Sequence, residues 1–359
     1  MRAAICYEAG SPLRVEELAI DEPGLGEVRV RIAACAICHS DIAYIKGLWG
    51  PIVPTVFGHE AAGVVEAVGA GTVDLTVGDP VLVTLIRSCG SCRSCGRGLP
   101  VLCDGGFRLN GESPLRHPDG RPVAQGLRTG GFAEQVTVHA SQVVGLPAEM
   151  SLETASVVAC AVLTGYGSVV HTAAVEPGSA VAVIGCGGVG LNAVQAARLG
   201  GADPVIAVDV AEPKLRAAER FGATRCVNSM GPDPVAAIRA MTGGAGVDYA
   251  VVTVGATAAV DLAFAITGAG GGVVLVGMPA TGALAAFDPG TIANLNQRVL
   301  GSKMGTVRLE RDVPAILELY RAGRWKLDEL ITGRYPLDAI NEAIAAAQAP
   351  DSLRTLIVN

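Results

Sequence analysis

The stretch 181–190, which reads VAVIGCGGVG, decides the fold of the middle of this 359-residue chain. Its apolar first half predicts a buried strand, and the residues after it are apolar at helical spacing, which predicts a helix. The same alternation of apolar run and helical segment continues as far as residue 276. Such alternation is typical of a parallel sheet with crossover helices. The predicted strands are 180–184, 205–208, 249–254 and 272–276, and the predicted helices are 188–199, 212–221 and 257–266.

A glycine motif lies between the first of these strands and its helix. Gly185, Gly187 and Gly190 fit the pattern G-x-G-x-x-G, and Gly188 and Val189 complete it. The first glycine permits a tight turn, the second leaves room for a pyrophosphate, and the third lets the helix pack against the strand. The helix N-terminus then faces the phosphates. The motif predicts a dinucleotide site, although a glycine-rich turn without a ligand is the alternative that the motif alone leaves open.

The residues at the ends of the following strands indicate which dinucleotide is bound. Asp209 closes the next strand, nineteen residues after Gly190. A carboxylate there accepts hydrogen bonds from the adenosine ribose and repels a 2′-phosphate, and Val210 after it supplies no arginine to receive one. We therefore predict NAD rather than NADP. Val254 and Val276, at the ends of the last two predicted strands, are further candidates for contact with the cofactor.

Residues 1–150 show a different pattern, with short apolar or alternating runs between glycine and proline residues. This pattern predicts an all-β domain, and most of the cysteines and histidines lie in its long loops. After about residue 301 the signal is mixed, with amphipathic helices expected at 312–322 and 338–347. The strands predicted in the first part are 2–7, 28–34, 61–68, 81–86 and 135–139.

Composition and charge exclude several classes of protein. Half of the residues are apolar and 17% are charged, so the chain has ample material for a core and is unlike a disordered segment. The formal net charge is −7, and no run of lysine or arginine suggests a nucleic-acid or anionic-membrane partner. The stretches 154–175 and 177–197 lack charged residues, but polar residues and glycine dilute them. With no secretory signal visible either, we expect a soluble, cytoplasmic protein.

Four cysteines are crowded into fifteen residues: Cys89, Cys92, Cys95 and Cys103. Four thiolates at such spacing can close a tetrahedral zinc site, which would be structural because no coordination position stays open. An iron–sulfur cluster is the rival interpretation. Its ferredoxin run has three residues before the last cysteine and a proline after it, whereas this chain has seven residues and Asp104. The spacing therefore favours zinc.

A second set of possible metal ligands comes from distant parts of the chain. Cys38 and His59 can supply two of the three protein ligands that a catalytic zinc requires. Cys160, in an apolar run, is the best candidate for the third. An isolated cysteine in such a run is also typical of an inert buried thiol, and spacing alone does not decide between these readings.

With these motifs in this order, the sequence resembles the zinc-dependent, medium-chain alcohol dehydrogenases over essentially its whole length. Two cysteines and one histidine are the catalytic zinc ligands known from alcohol dehydrogenase. The resemblance therefore implies that Cys160 is the third ligand, beside Cys38 and His59. It also places Glu60 in the catalytic zinc set, behind the ion. The implied fold is a GroES-like β-rich catalytic domain, residues 1–161 and 301–359, interrupted by a Rossmann domain with a doubly wound parallel sheet, residues 162–300.

The resemblance assigns roles to further residues. It implies that Asp41 orients His59 and that Ser40 receives the proton of the substrate alcohol. His39 and Arg354 match positions that contact the cofactor pyrophosphate. Lys214 matches a residue near the adenosine ribose.

The expected activity is oxidation of a primary or secondary alcohol with NAD as hydride acceptor and two zinc ions per chain. Zinc acts as a Lewis acid in this chemistry, and the nicotinamide carries the redox step. Alternatives are a polyol or aryl-alcohol dehydrogenase of the same superfamily, or a non-catalytic NAD-binding protein on this fold. The family further suggests a homodimer with residues 268–278 near the contact, a tetramer being the alternative.

Overall fold

Three β-sheets organise residues 1–50 and 53–359, the part of the chain that this computed structural model describes. The chain divides into two compact units, and each unit contains residues from more than one stretch of sequence. The first long stretch of the first unit ends at Ala161, and the chain re-enters that unit at Arg308; the predicted limits were 161 and 301. The first unit is Met1–Ala161, Arg308–Glu318 and Leu327–Asn359, and the second is Val162–Val307 and Leu319–Lys326.

The strands and helices are numbered here in chain order. The strands are β1 (Arg2–Cys6), β2 (Arg14–Glu17), β3 (Ala19–Ile20), β4 (Glu27–Ala36), β5 (Thr55–Val56), β6 (Glu60–Val68), β7 (Pro80–Val83), β8 (Leu115–Arg116), β9 (Pro122–Gln125), β10 (Gln135–His139), β11 (Val143–Gly145), β12 (Val181–Ile184), β13 (Val205–Asp209), β14 (Arg225–Asn228), β15 (Val247–Val252), β16 (Thr267–Leu275), β17 (Arg298–Gly301), β18 (Ile331–Pro336) and β19 (Arg354–Val358). The helices are α1 (His39–Ile45), α2 (Arg93–Gly96), α3 (Leu152–Ser156), α4 (Ala161–Gly167), α5 (Gly188–Leu199), α6 (Glu212–Arg220), α7 (Pro234–Met241), α8 (Thr257–Ile266), α9 (Pro289–Asn294), α10 (Leu309–Arg321) and α11 (Ile340–Ala346).

The first unit is built around the long strand β4. One sheet has the order β11-β7-β6-β4-β19-β18, with β10 also paired to β4, and the other has the order β2-β1-β5-β9-β8-β3. Inward-facing aliphatic side chains of both sheets form one buried core. The register of β4 with β6 sets Ala36 opposite Glu60. Cys38, two residues after Ala36, is thereby brought beside His59, which directly precedes β6.

The second unit contains a parallel six-stranded sheet in the order β14-β13-β12-β15-β16-β17. This is the strand order 3-2-1-4-5-6 of the doubly wound dinucleotide-binding fold. Helix α6 begins with Pro213 in its first turn, where proline fits because that N–H has no helical partner. Strands β13 and β14 lie on one side of β12, and β15, β16 and β17 lie on the other side, so the strand order reverses at β12. The carboxyl end of β12 is therefore the switch point at which ligands of such sheets bind. Gly185 follows β12 directly.

Two segments differ from the sequence-based expectation. Residues 1–150 are not all β, because α1 covers His39–Ile45 directly after β4. The residues after 301, for which the sequence pattern was mixed, form the strands β18 and β19, and β19 pairs antiparallel with β4. No single helix within the described residues has the length and apolar character needed to cross a membrane; one bent pair, Leu152–Ala159 with Ala161–Ala173, meets those criteria only when taken together.

Candidate active site and metal centres

A buried cluster in the first unit unites the second set of predicted ligands. The ligand atoms of Cys38, His59, Glu60 and Cys160 all lie within 4.8 Å of one another. Cys38 is the N-cap of α1, His59 and Glu60 enter β6, and Cys160 lies between the 3₁₀ turn Val157–Ala159 and α4. None of the four is more than 6% exposed. The structure thus brings together all four residues that the sequence predicted for this site.

Asp41 fixes the orientation of two of these ligands. One carboxylate oxygen, Oδ1, lies 2.9 Å from His59 Nδ1 and accepts a hydrogen bond of 3.0 Å from the Gly58 N–H. The other, Oδ2, accepts a hydrogen bond of 3.1 Å from the Cys38 N–H. An ionised carboxylate only accepts hydrogen bonds, so the proton of His59 must sit on Nδ1. The lone pair of Nε2 is then directed into the cluster, which is the arrangement of a metal-ligating histidine.

The polar atoms in the cluster fit a bound metal ion. His59 Nε2 and both carboxylate oxygens of Glu60 are buried and have no hydrogen-bond partner among the described residues. Buried polar atoms without partners are costly and rare in folded proteins. Two thiol groups and one imidazole are donors that zinc prefers, and they leave one position of a tetrahedron open. Cys38, His59 and Cys160 would hold the ion, with Glu60 beside it.

The ionisation of the cluster is strongly perturbed. The hydrogen bond from Cys160 lowers the pKa of the Cys38 thiol well below its ordinary value, against the effect of burial, and raises that of Cys160. Burial lowers the pKa of His59, but Asp41 and Cys38 outweigh burial and leave it well above the ordinary value. Burial also raises the pKa of Glu60 to about 8, although Arg354 opposes it. Such clustering of perturbed groups is typical of functional sites.

Arg354 belongs to this cluster as well. It begins β19, is 4% exposed, and its Nε lies 3.3 Å from Glu60 Oε2. The family resemblance assigned Arg354 to the cofactor pyrophosphate, and its pairing with Glu60 was not predicted. The pairing became visible only with the register of β19 against β4, to which no sequence motif points.

Helix α1 carries two further predicted residues. His39 is its first residue and is exposed, whereas Ser40, its second, is half-buried. Both follow Cys38 directly, so a substrate oxygen at the open position of the metal would lie close to the start of α1. Their roles toward the pyrophosphate and the substrate proton stay predictions.

The four-cysteine segment forms the second candidate metal centre. The sulfurs of Cys89, Cys92, Cys95 and Cys103 lie within 4.8 Å of one another, and those of Cys92 and Cys103 are 3.8 Å apart. Zinc–sulfur bonds of 2.3 Å give a tetrahedral edge of about 3.8 Å. Backbone N–H groups point at the sulfurs, including that of Gly105 toward Cys103 at 3.3 Å. These donors stabilise thiolates, as a zinc site requires.

The glycine motif in the second unit has the predicted geometry. Gly185 has φ +95°, and a Cβ there would lie 2.3 Å from Val254 Cγ1. A Cβ on Gly190 would lie 1.8 Å from the Gly185 carbonyl oxygen, so both positions require glycine. Gly187, the N-cap of α5, is different, because a Cβ there would meet no atom within 4 Å. The space beside Gly187 fits the close approach of a pyrophosphate to the backbone.

The other predicted cofactor residues lie at the same end of the sheet. Asp209 ends β13, and its carboxylate accepts hydrogen bonds from Cys186 N–H at 2.7 Å and Ala211 N–H at 2.9 Å. Lys214 is in the first turn of α6. Val276 donates its N–H to the Val252 carbonyl, just beyond β16. Gly188 and Val189 form the first turn of α5.

The chain matches known proteins over nearly its full length. Residues 24–148 match the alcohol dehydrogenase GroES-like domain, and residues 188–322 match the zinc-binding dehydrogenase domain. An NDMA-dependent alcohol dehydrogenase of Amycolatopsis methanolica is 37% identical over 366 residues, which cover 100% of this chain and 98% of the relative. The chain belongs to the zinc-dependent medium-chain alcohol dehydrogenase family.

Solved structures of similar proteins support this membership in the alcohol dehydrogenase family. An alcohol dehydrogenase zinc-binding domain protein from Burkholderia ambifaria superposes with a TM-score of 0.94 at 34% identity. A benzyl alcohol dehydrogenase from Acinetobacter calcoaceticus gives 0.93 at 29% identity, and each comparison covers 99% of this chain and 98% of the other. The predicted GroES-like and Rossmann fold is confirmed. The protein is thus an oxidoreductase of the zinc-type alcohol dehydrogenases.

Proposed function

We propose that this alcohol dehydrogenase oxidises a primary or secondary alcohol to an aldehyde or ketone, reversibly, with NAD as hydride acceptor. The observation that carries the proposal is the buried set of Cys38, His59 and Cys160, in which His59 Nε2 has no hydrogen-bond partner among the described residues. Asp209 at the end of β13 supports NAD, because its carboxylate disfavours a 2′-phosphate.

The chemistry divides between the bound groups and the chain. Zinc held by Cys38, His59 and Cys160 would supply a Lewis acid to the alcohol oxygen, and NAD would supply the hydride acceptor. Asp41 keeps the proton of His59 on Nδ1, and Ser40 Oγ accepts the proton of the alcohol. The four cysteines Cys89, Cys92, Cys95 and Cys103 would hold a second zinc ion, which would cross-link the 89–103 segment.

A direct assay tests the proposal. The purified, zinc-loaded protein is mixed with ethanol, a long-chain alcohol, benzyl alcohol or a polyol, and absorbance at the nicotinamide band is followed with NAD and with NADP. We expect reduction of NAD by at least one alcohol, two zinc ions per chain, and loss of turnover with retained NAD binding in Cys38→Ser. The assignment would be contradicted if no alcohol were turned over, or if Cys38→Ser lost NAD binding as completely as it lost turnover.

Two second candidates rest on specific relatives. The Amycolatopsis methanolica enzyme, 37% identical, is named for dependence on NDMA. The assay is therefore repeated with NDMA. If turnover appears only when NDMA is present, NDMA rather than free NAD is the terminal acceptor. The similarity to a benzyl alcohol dehydrogenase supports an aryl-alcohol substrate. A kcat/KM that is highest for benzyl alcohol would decide for that class.

We also propose a homodimer formed through the parallel sheet of the second unit. Strand β17 is one of the two edges of this sheet, and edge strands present unpaired backbone groups. Nearby apolar side chains are strongly exposed: Met278, Leu284, Phe287 and Val299. Exposed apolar groups of this kind mark contact surfaces. Light scattering at two chain masses would agree with the proposal, and four chain masses would favour the tetramer.

A further inference from the structure

Thr84 holds the peptide that precedes the catalytic cysteine. Its hydroxyl donates a hydrogen bond of 2.7 Å to the carbonyl oxygen of Ala159, and both residues are fully buried. The 3₁₀ turn Val157–Ala159 ends at Cys160, whose backbone angles, φ −140° and ψ −63°, break the helical path. A carbonyl at such a helix end needs a donor from elsewhere. Thr84 supplies that donor one peptide away from the Cys160 thiol.

Thr84 is itself held by the fully buried Gln142. The Gln142 carbonyl accepts a hydrogen bond of 3.0 Å from Thr84 N–H, and the Gln142 side-chain Nε2 donates one of 2.8 Å to the Thr84 carbonyl. Arg87, 1% exposed, donates from Nε to Gln142 Oε1 at 2.7 Å. A guanidinium can only donate, so this bond fixes which end of the Gln142 amide faces Thr84.

The same hydrogen-bond chain reaches the four-cysteine segment. The Arg87 guanidinium donates to Asn110 Oδ1 at 3.0 Å, and Asn110 Nδ2 donates to the Gly105 carbonyl at 3.1 Å. Gly105 in turn donates its N–H to Cys103 Sγ. An uninterrupted series of hydrogen bonds therefore runs from a sulfur of the structural metal centre to the residue before Cys160.

The backbone around the middle of this series is strained. Leu127 and Arg128 have φ values of +50° and +61°, which residues with a side chain rarely adopt. The Arg128 carbonyl accepts hydrogen bonds from Arg87 at 3.2 Å and from Gln142 at 3.1 Å. Strained backbone persists only where surrounding contacts hold it, and such positions cluster at functional sites. Arg87 and Gln142 hold this turn, and the turn keeps both side chains in place.

We propose that Thr84 is a positioning residue for Cys160, and that Gln142, Arg87 and Asn110 couple it to the four-cysteine metal centre. The inference rests on the proposed catalytic zinc at Cys38, His59 and Cys160. Thr84 does not touch the metal. It sets the direction of the Ala159–Cys160 peptide and so the placement of the thiol. Groups that orient metal ligands in this indirect way contribute strongly to metal affinity.

Zinc release tests the positioning role without relying on turnover. Zinc-loaded protein is mixed with a chromogenic chelator, and Cys160→Ser identifies the release phase that belongs to the catalytic site. We expect Thr84→Val, which keeps shape but loses the hydroxyl, to accelerate that phase about 10- to 100-fold. Thr84→Ser should restore the wild-type rate.

A matched control and one optical readout separate positioning from general destabilisation. Thr137 is fully buried in β10, and its hydroxyl has no partner among the described residues, so Thr137→Val should release zinc as the wild type does. With cobalt in place of catalytic zinc, Thr84→Val should shift the thiolate-to-metal absorption bands and Thr137→Val should not. Equal release rates and spectra in the two valine variants would overturn the proposal.

The coupling is tested at the far end of the series. Asn110 is exposed, so Asn110→Ala should fold normally and still accelerate catalytic-zinc release, about twofold or more. Its effect should shrink when it is combined with Thr84→Val, because both changes break one series. Fully additive effects, or none from Asn110→Ala, would overturn the coupling. A wild type without a second, Cys160-dependent zinc would instead refute the proposed zinc site, and this inference with it.

Discussion

Replacing Asp41 by asparagine is the sharpest test of how the cluster is organised, because the variant keeps the shape and changes only the charge and one acceptor. All three donors around Asp41 are N–H groups: those of Cys38, Gly58 and His59 Nδ1. The amide of asparagine must point its NH₂ at one side. If the NH₂ replaces Oδ2, it faces the Cys38 N–H. If it replaces Oδ1, it faces Gly58 N–H and the imidazole, and His59 can accept only by moving its proton to Nε2.

Either outcome harms metal binding. The first leaves the backbone at Cys38 without an acceptor, and the second removes the Nε2 lone pair. Loss of one hydrogen bond to a charged group costs about 1.5–3 kcal/mol, which is about 10- to 150-fold in an equilibrium constant. We therefore expect Asp41→Asn to lower zinc affinity at the catalytic site by about that factor.

The assay is a chelator competition with zinc content and kcat/KM measured on the same samples. Asp312→Asn is the matched control, since Asp312 is 1% exposed and accepts the Arg308 N–H at 2.7 Å, outside the metal cluster. It should lower stability and leave both zinc affinities unchanged. Wild-type zinc affinity and kcat/KM in Asp41→Asn would refute the reasoning that the carboxylate sets the imidazole tautomer.

Two further changes address the other sites. Cys92→Ser should reduce the zinc content to one ion per chain and lower Tm, because a structural zinc contributes directly to folding; unchanged Tm by calorimetry would contradict that role. Asp209→Gly combined with Val210→Arg should raise kcat/KM for NADP relative to NAD, since a repelling carboxylate is removed and a phosphate partner is added. The same change removes the acceptor of the Cys186 and Ala211 N–H groups, so some loss of stability is expected too. An unchanged cofactor ratio would mean that Asp209 does not reach the ribose.

Those parts of the fold that depend on local patterns could be predicted from the sequence. Helices Gly188–Leu199 and Thr257–Ile266 have the predicted bounds, because glycine punctuation and apolar spacing mark both ends. Helix Pro234–Met241 was not predicted although its start signal is present: the Asp233 side chain caps it by accepting the Ala236 N–H at 2.8 Å. Strand β17 carries no comparable signal, as its residues are largely exposed at the sheet edge.

The candidate site, like the fold, could be predicted from the sequence only in part. The four cysteines of the 89–103 segment could be predicted from their spacing, whereas Cys160 and Glu60 were assigned to the second metal site only through the family resemblance. The hydrogen-bonded series through Thr84, Arg87, Asn110 and Gln142 could not, since its members lie on three separate segments and none belongs to a motif. Helix α1 was missed because it is short and only two residues separate it from β4. Its position nevertheless decides where Asp41 can reach His59.

Arg354 shows how a residue's expected role and its observed contacts can be separated experimentally. The resemblance assigns it to the cofactor pyrophosphate, whereas the structure buries it against Glu60, 3.3 Å from Nε to Oε2. The charge of a bound zinc ion favours the ionised form of Glu60. In the zinc-loaded protein, Arg354 would then be the cation that balances a buried carboxylate.

Removing one partner of such a buried ion pair lowers the stability of the fold far more than removing both partners does. Arg354→Met should lower the free energy of unfolding by about 3–5 kcal/mol, because it leaves a buried carboxylate without its cation. Adding Glu60→Gln should recover most of that loss, since replacing both charges of a buried pair is often neutral. Denaturant unfolding of the zinc-loaded variants measures both effects, and NAD affinity, measured separately, reports the pyrophosphate role. If the double variant is no more stable than Arg354→Met, the pairing does not stabilise the fold; if only NAD affinity falls, the cofactor is the partner of Arg354.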